Sequence, residues 1–121
     1  MFMEAATLVE LLRHVVTDDA ARDAIAQAEK PSGRNQSDDQ KKRAAWISAL
    51  SAGERAHLEY VASHAVHATA FGLLCVLDGA RKIEDGIDHG HLELRYVKGQ
   101  SSTLLASSAD HMPVPPLHEL L

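Results

Sequence analysis

Eight histidines in 121 residues make metal and proton chemistry the first possibility to weigh. The sharpest grouping is Glu84-Asp85-Gly86-Ile87-Asp88-His89-Gly90-His91. In an extended segment His89 and His91 point the same way, and Asp88 stands beside them as an oxygen donor. Zinc takes about four ligands, so the set would need completion, from His64 and His67 or from Asp110 and His111. His64 and His67 lie three apart, with His57 seven before His64, so one helical face can carry all three. The run contains no His-Glu-x-x-His pattern, and the loop does not follow EF-hand spacing. Zinc is therefore the alternative reading, set against a solvated acidic turn and histidines that hydrogen-bond along a helix seam.

Other reaction chemistries find little support. The chain has no Gly-rich phosphate loop, no Walker-type Lys and no G-x-S-x-G elbow. Ser107, Ser108, Asp110 and His111 cluster in sequence, but triads assemble in space and adjacency says little about them. Cys75, the single cysteine, excludes an intrachain disulfide and sits in an apolar run, where a thiol behaves as a small hydrophobe. No catalytic residue is assigned.

The acids themselves offer a different use. Glu84, Asp85, Asp88 and Glu93 form a candidate partner-binding surface for a protein with a basic site. The formal charge of −5 and pI of 5.8 argue against nucleic acid or an anionic membrane as partner. Protonating every histidine would carry that charge to about +3, so mild acid changes the sign of the protein. Lys41, Lys42 and Arg43 form a basic cluster that reads as a solvated face.

The elements that must position these groups centre on one helix from Ser51 to Gly79. Ser51 and Glu54 fit a capping box, and Asp78-Gly79 supplies the stop. From Tyr60 to Leu77 there is no Asp, Glu, Lys or Arg. A helix apolar on every side must be covered on every side. The run is at the short end for a bilayer, and His64, His67, Ser63 and Thr69 interrupt it. The expectation is a buried central helix rather than a membrane span. Should the fold leave it unpaired, it would serve as the interface of a homodimer.

Around it, Leu8, Leu11, Leu12 and Val15 predict a helix over 4–16, followed by a kink or fresh N-cap at Thr17-Asp18-Asp19. Ala21, Ala24, Ile25 and Ala28 continue an apolar stripe, and residues 31–37 read as a loop after Lys30-Pro31. Ser37 with Gln40 caps a further helix to about Leu50, with Ala44, Ile47 and Leu50 inward and Trp46 as a core anchor. Beyond Gly79 the period becomes two: Leu92, Leu94 and Tyr96 alternate with Glu93, Arg95 and Val97. Residues 98–101 then make a hairpin loop and 102–106 a returning strand, with 81–84 as a third strand of a meander. After a proline-extended tail, Leu117, Leu120 and Leu121 are expected to dock.

The fold class expected is α+β: four helices including the long buried one, then a β-hairpin or three-stranded meander, in one domain over 1–121. The helical part is 1–79, and the hairpin with its tail is 80–121. The N-terminus has no basic region before its apolar residues, so the compartment expected is the cytoplasm. At Ala70–Gly79 (AFGLLCVLDG), followed by Arg81 and Ile83, the chain resembles small uncharacterised bacterial proteins of this length. The likeness extends to Leu92–Val97 and Leu117–Leu121 and implies no activity. As a class, small acidic α+β proteins without reaction motifs resemble bacterial immunity proteins, which neutralise toxins. A non-enzymatic immunity or adaptor protein is thus the first reading, and a metal-binding protein or metal-dependent enzyme using the Asp88-His89-Gly90-His91 loop the second.

Overall fold

A computed structural model describes residues 2–110 and 114–121. The elements are α1 (Ala5–Leu12), a π-helical turn (Arg13–Thr17), α2 (Ala20–Glu29), α3 (Asp38–Ser48), α4 (Ala52–Asp78), β1 (Glu93–Lys98), β2 (Ser101–Ser107) and α5 (Leu117–Leu120). The class is α+β. By packing, the chain forms two compact units: residues 1–15 with 68–121, and residues 16–67. Within the first of these units α1 packs on α5 near the C-terminus.

Local chemistry sets the helix boundaries. Ser37 Oγ accepts the Gln40 N–H at 3.1 Å while Gln40 returns its carbonyl oxygen to the Ser37 N–H at 2.8 Å. Ser51 and Glu54 repeat the arrangement at the same two distances. Each box satisfies two donors that the first turn leaves open. Gly79 ends α4 at φ +78°, where a Cβ would also come within 2.7 Å of the Ser108 carbonyl oxygen. Only glycine fits that backbone and that gap.

In the first unit the core joins Ala5 and Val9 of α1, Leu74 of α4, Ala106 of β2 and Leu117 of α5. Leu117 is fully buried, so the terminal leucines do dock. Two polar contacts fix that docking. Asp78, almost wholly buried at its side chain, accepts the His118 N–H at 2.8 Å and lies 2.8 Å from His118 Nδ1. Arg13 donates to the carbonyls of Leu120 and Leu121. These capture carbonyls a short terminal helix cannot satisfy itself.

β1 and β2 pair antiparallel, from Lys98 opposite Ser101 to Glu93 opposite Ser107, with a bulge at Leu94/Arg95. Leu92, Leu94 and Tyr96 are partly covered and their neighbours exposed, as the alternation predicts. The sheet has two strands, and the third strand expected at 81–84 does not form. Arg81 instead donates its N–H to the Cys75 carbonyl at 3.2 Å and sets its guanidinium over Gly72. That segment is committed to the end of α4.

In the second unit Ala21 and Ile25 of α2 and Ile47 of α3 are buried. Arg55 of α4 forms a two-pronged ion pair with Glu29 of α2, at 2.8 and 3.3 Å, and the Ser48 hydroxyl donates to the same carboxylate.

Three expectations about burial are corrected. The long helix is not buried: only 17 % of its most apolar 18 residues are, with Tyr60 at 72 % and Val61 at 63 % exposure. In the second unit a single stripe, Leu58, Ala62 and Val66, is partly covered, because α2 and α3 spend their apolar faces on each other. In the first unit Gly72, Leu74 and Cys75 are the buried positions. Trp46 is no core anchor but 57 % exposed, since Ile47, one position round the helix, takes the inward place. Val15 faces out, because the π turn advances each residue less than an α turn and rotates it off the Ala5–Val9 face.

Candidate functional site

The acidic segment is an exposed loop that runs from the end of α4 to the start of β1. Every residue from Arg81 to His91 is exposed. Both of its ends are pinned. Arg81 closes the end of α4, as described, while the Leu92 N–H donates to Ser108 Oγ at 2.7 Å and the Ser108 N–H donates back to the Leu92 carbonyl at 2.9 Å. Between these anchors the Gly90 N–H donates to Glu84 Oε2 at 3.2 Å, and Gly86 turns the chain at φ +115°. Gly86 supplies the positive φ that a side chain would resist.

The four acids therefore have unequal roles. Glu84 closes the loop. Glu93 lies between His91 at 3.1 Å and Arg95 at 3.0 Å, and these contacts, His91 first, hold its carboxyl below the usual range. Its charge is largely spoken for. Asp85 and Asp88 stand exposed at the tip, where they present charge to an approaching surface. Between them Ile87 is 105 % exposed, and Ile83 at the shoulder is 64 % exposed. Sequence reasoning passed over both isoleucines. The signal was present, in two β-branched apolar residues set inside a Gly/Asp-rich turn segment where no core is within reach.

The metal reading gathers no cluster. Among the described residues no three His, Cys, Asp or Glu side chains come together. His89 Nδ1 lies 2.9 Å from the Gly90 carbonyl, and His91 is engaged with Glu93. His64 stacks on Tyr60, ring centroids 6.4 Å apart, in the other unit. His67 sits on the same helix. His111 falls outside the described residues.

Ser107 and Ser108 have structural partners. Ser108 Oγ accepts from Leu92, and Ser107 Oγ accepts the Ala109 N–H at 3.1 Å.

Concavities match this picture. The hollow beneath the loop, between Arg81, Glu84, His89 and Ser108, holds about 80 Å³. Small-molecule sites run to roughly 300–1,000 Å³. A larger gap of about 350 Å³ beside β2 is mostly apolar, lined by Phe2, Met3, Leu104, Leu105, Pro115 and Leu120 among others. Ion-pair chemistry and apolar contact at a projecting loop are what this site can do. No family model, curated protein or solved structure matches the chain.

Proposed function

We propose that this chain is a non-enzymatic protein-binding module that docks through the loop Ile83–Asp88. The observation that carries the proposal is Ile87, fully solvent-exposed between Asp85 and Asp88 on a loop tied down at both ends. An apolar tip flanked by acids suits an apolar pocket rimmed by Lys or Arg. Burying the tip supplies affinity, and the acids steer the encounter. Pinning the loop reduces the ordering cost on binding. The acidic charge of the whole chain favours the same kind of partner. Glu93 belongs to this surface as a partly neutralised member, and Glu84 as its brace.

Within that reading the partner is a protein with a basic site, as for an immunity protein meeting a toxin, and the compartment is the cytoplasm. Nucleic acid and membrane are disfavoured by charge.

A photo-crosslinking residue in place of Ile87, compared with one at Gly33 in the 31–37 loop, tests the proposal in the cell. Position 87 should give one discrete adduct that Asp85→Lys/Asp88→Lys abolishes, while position 33 gives none. Identical adducts from both positions, or none from 87, would overturn it.

A further inference from the structure

The hairpin poses a separate question from the loop, and neither Asp85, Ile87 nor Asp88 enters it. The sheet has two strands, so β1 and β2 each keep one edge that no third strand pairs with. At one end of the pairing Ser108 donates its N–H to the Leu92 carbonyl. At the other, the two-residue turn Gly99-Gln100 makes Lys98 and Ser101 a bonded pair. Residues 92, 94, 96 and 98 therefore bond inward to β2, while Glu93, Arg95 and Val97 aim their backbone groups away from it. Among the described residues nothing else bonds to the backbone of those three, and all three are exposed. The whole hairpin lies in the first unit.

The two edges are not alike. Leu105 has no opposite residue in β1, so the bulge lies in β2 and bends that edge. Leu105, Ala106 and Ser107 are also buried. β1 is regular and free of proline, the kind of edge on which another strand can pair.

Its own sequence fits it best. Set two β1 strands antiparallel with a two-fold axis through Leu94, and residues equally far on either side of Leu94 stand opposite. Glu93 then faces Arg95 of the second copy, and Arg95 faces Glu93. Both residues point outward, so each such pair exchanges two backbone bonds. Within each chain these side chains already lie 3.0 Å apart, and the dimer closes an alternating ring of four charges. On the half-covered side Leu94 meets Leu94 and Leu92 meets Tyr96, which carries one apolar face across four strands. Other registers lose this match. An axis at Arg95 sets Arg95 against itself, and one at Glu93 sets Glu93 against itself, both unfavourable. An axis at Tyr96 sets Lys98 against Leu94, and an axis between residues opposes outward groups to inward ones.

The contact is short. Residues 91–97 span about 23 Å. One strand edge of that length falls below the roughly 1,200 Å² of a standard interface, so a dissociation constant on the order of 100 µM is expected. The charge of −5 on each copy opposes tighter association.

We infer that β1 is the seam of an antiparallel homodimer in which Glu93 and Arg95 of the two copies cross-pair about Leu94. Sedimentation equilibrium at about 150 mM salt, from about 10 µM to about 1 mM chain, should show mass rising from 13.1 kDa toward twice that value. Amide exchange read by NMR should find the Glu93, Arg95 and Val97 N–H groups open when dilute and protected when concentrated. The Tyr96 N–H, bonded to β2, should be protected equally at both. Glu93→Arg and Arg95→Glu each set like charges opposite and should each stay monomeric with circular dichroism unchanged. An equimolar mixture of the two should recover the dimer, as should the double variant Glu93→Arg/Arg95→Glu. Both single variants lose the contact within the chain, so recovery on mixing reports the contact between copies. Wild-type protein that stays monomeric at the highest concentration overturns the inference. So does a dimer whose three outward amides stay open, one indifferent to both single variants, or a mixture that fails to pair.

Discussion

At the scale of single residues, the Glu29–Arg55 ion pair joins α2 to α4. Glu29 receives two bonds from Arg55 and one from Ser48, and Arg55 is the chief cause that keeps its carboxyl below the ordinary range. Arg55 is correspondingly raised by Glu29. A carboxyl depressed in the folded state contributes stability above its unfolded value, and loses that contribution as pH falls through the folded one. Glu29→Gln should therefore be less stable than wild type at neutral pH. The gap should close between about pH 5 and about pH 3, read by urea midpoints at each pH. A gap unchanged across that range would mean the pair does not link α2 to α4. At the other end of α4, Asp78 holds His118 by both its backbone and its ring. That pair joins residues forty apart, and neither the Asp78-Gly79 stop signal nor the terminal leucines announced it in the sequence.

At the scale of elements, the parts legible in the sequence were those decided within a few residues. Ser37/Gln40 and Ser51/Glu54 cap their helices because a side chain three residues away is sufficient to do so. Leu92, Leu94 and Tyr96 turn inward because a strand has period two whatever it packs against. The burial of α4 was a different kind of question. Composition says that Tyr60–Leu77 wants cover, but only the packing of α2 on α3 and α1 on α5 shows that little cover is left over. Trp46 failed for a related reason: residue type suggested the core, and the neighbouring Ile47 already held it. Two glycines separate these effects by experiment. Gly79→Ala meets both a positive φ and the Ser108 carbonyl, so it should cost on the order of 1–3 kcal/mol. Gly53→Ala, in the first turn of α4 with nothing within 4 Å of its Cβ, should be neutral or stabilise by up to about 1 kcal/mol. Equal midpoints for the two variants in thermal unfolding would contradict this account of how α4 ends.

At the scale of the whole molecule, two surfaces lie outside the core and carry opposite characters. The loop Ile83–Asp88 is acidic, braced by Glu84 and Ser108, and tipped by Ile87. The stretch Tyr60–Leu77 of α4 holds no Asp, Glu, Lys or Arg. The charge of the four acids is legible in the sequence, since it is a property of residue type. The tip was not, since a loop isoleucine reads as ordinary until its exposure is known. The histidines attracted attention by number, and the fold distributes the described ones among the π-helical turn, α4, the loop and the contact made by His118. Steering by Asp85 and Asp88, proposed above, is tested most directly by stopped-flow association with the protein captured at position 87. Wild-type chain should associate more slowly as ionic strength rises from about 20 to about 300 mM, the range over which the screening length shrinks to several ångströms. Asp85→Lys/Asp88→Lys should be slower at low salt and nearly flat across the series. Equal rates and equal salt slopes for the two proteins would contradict it.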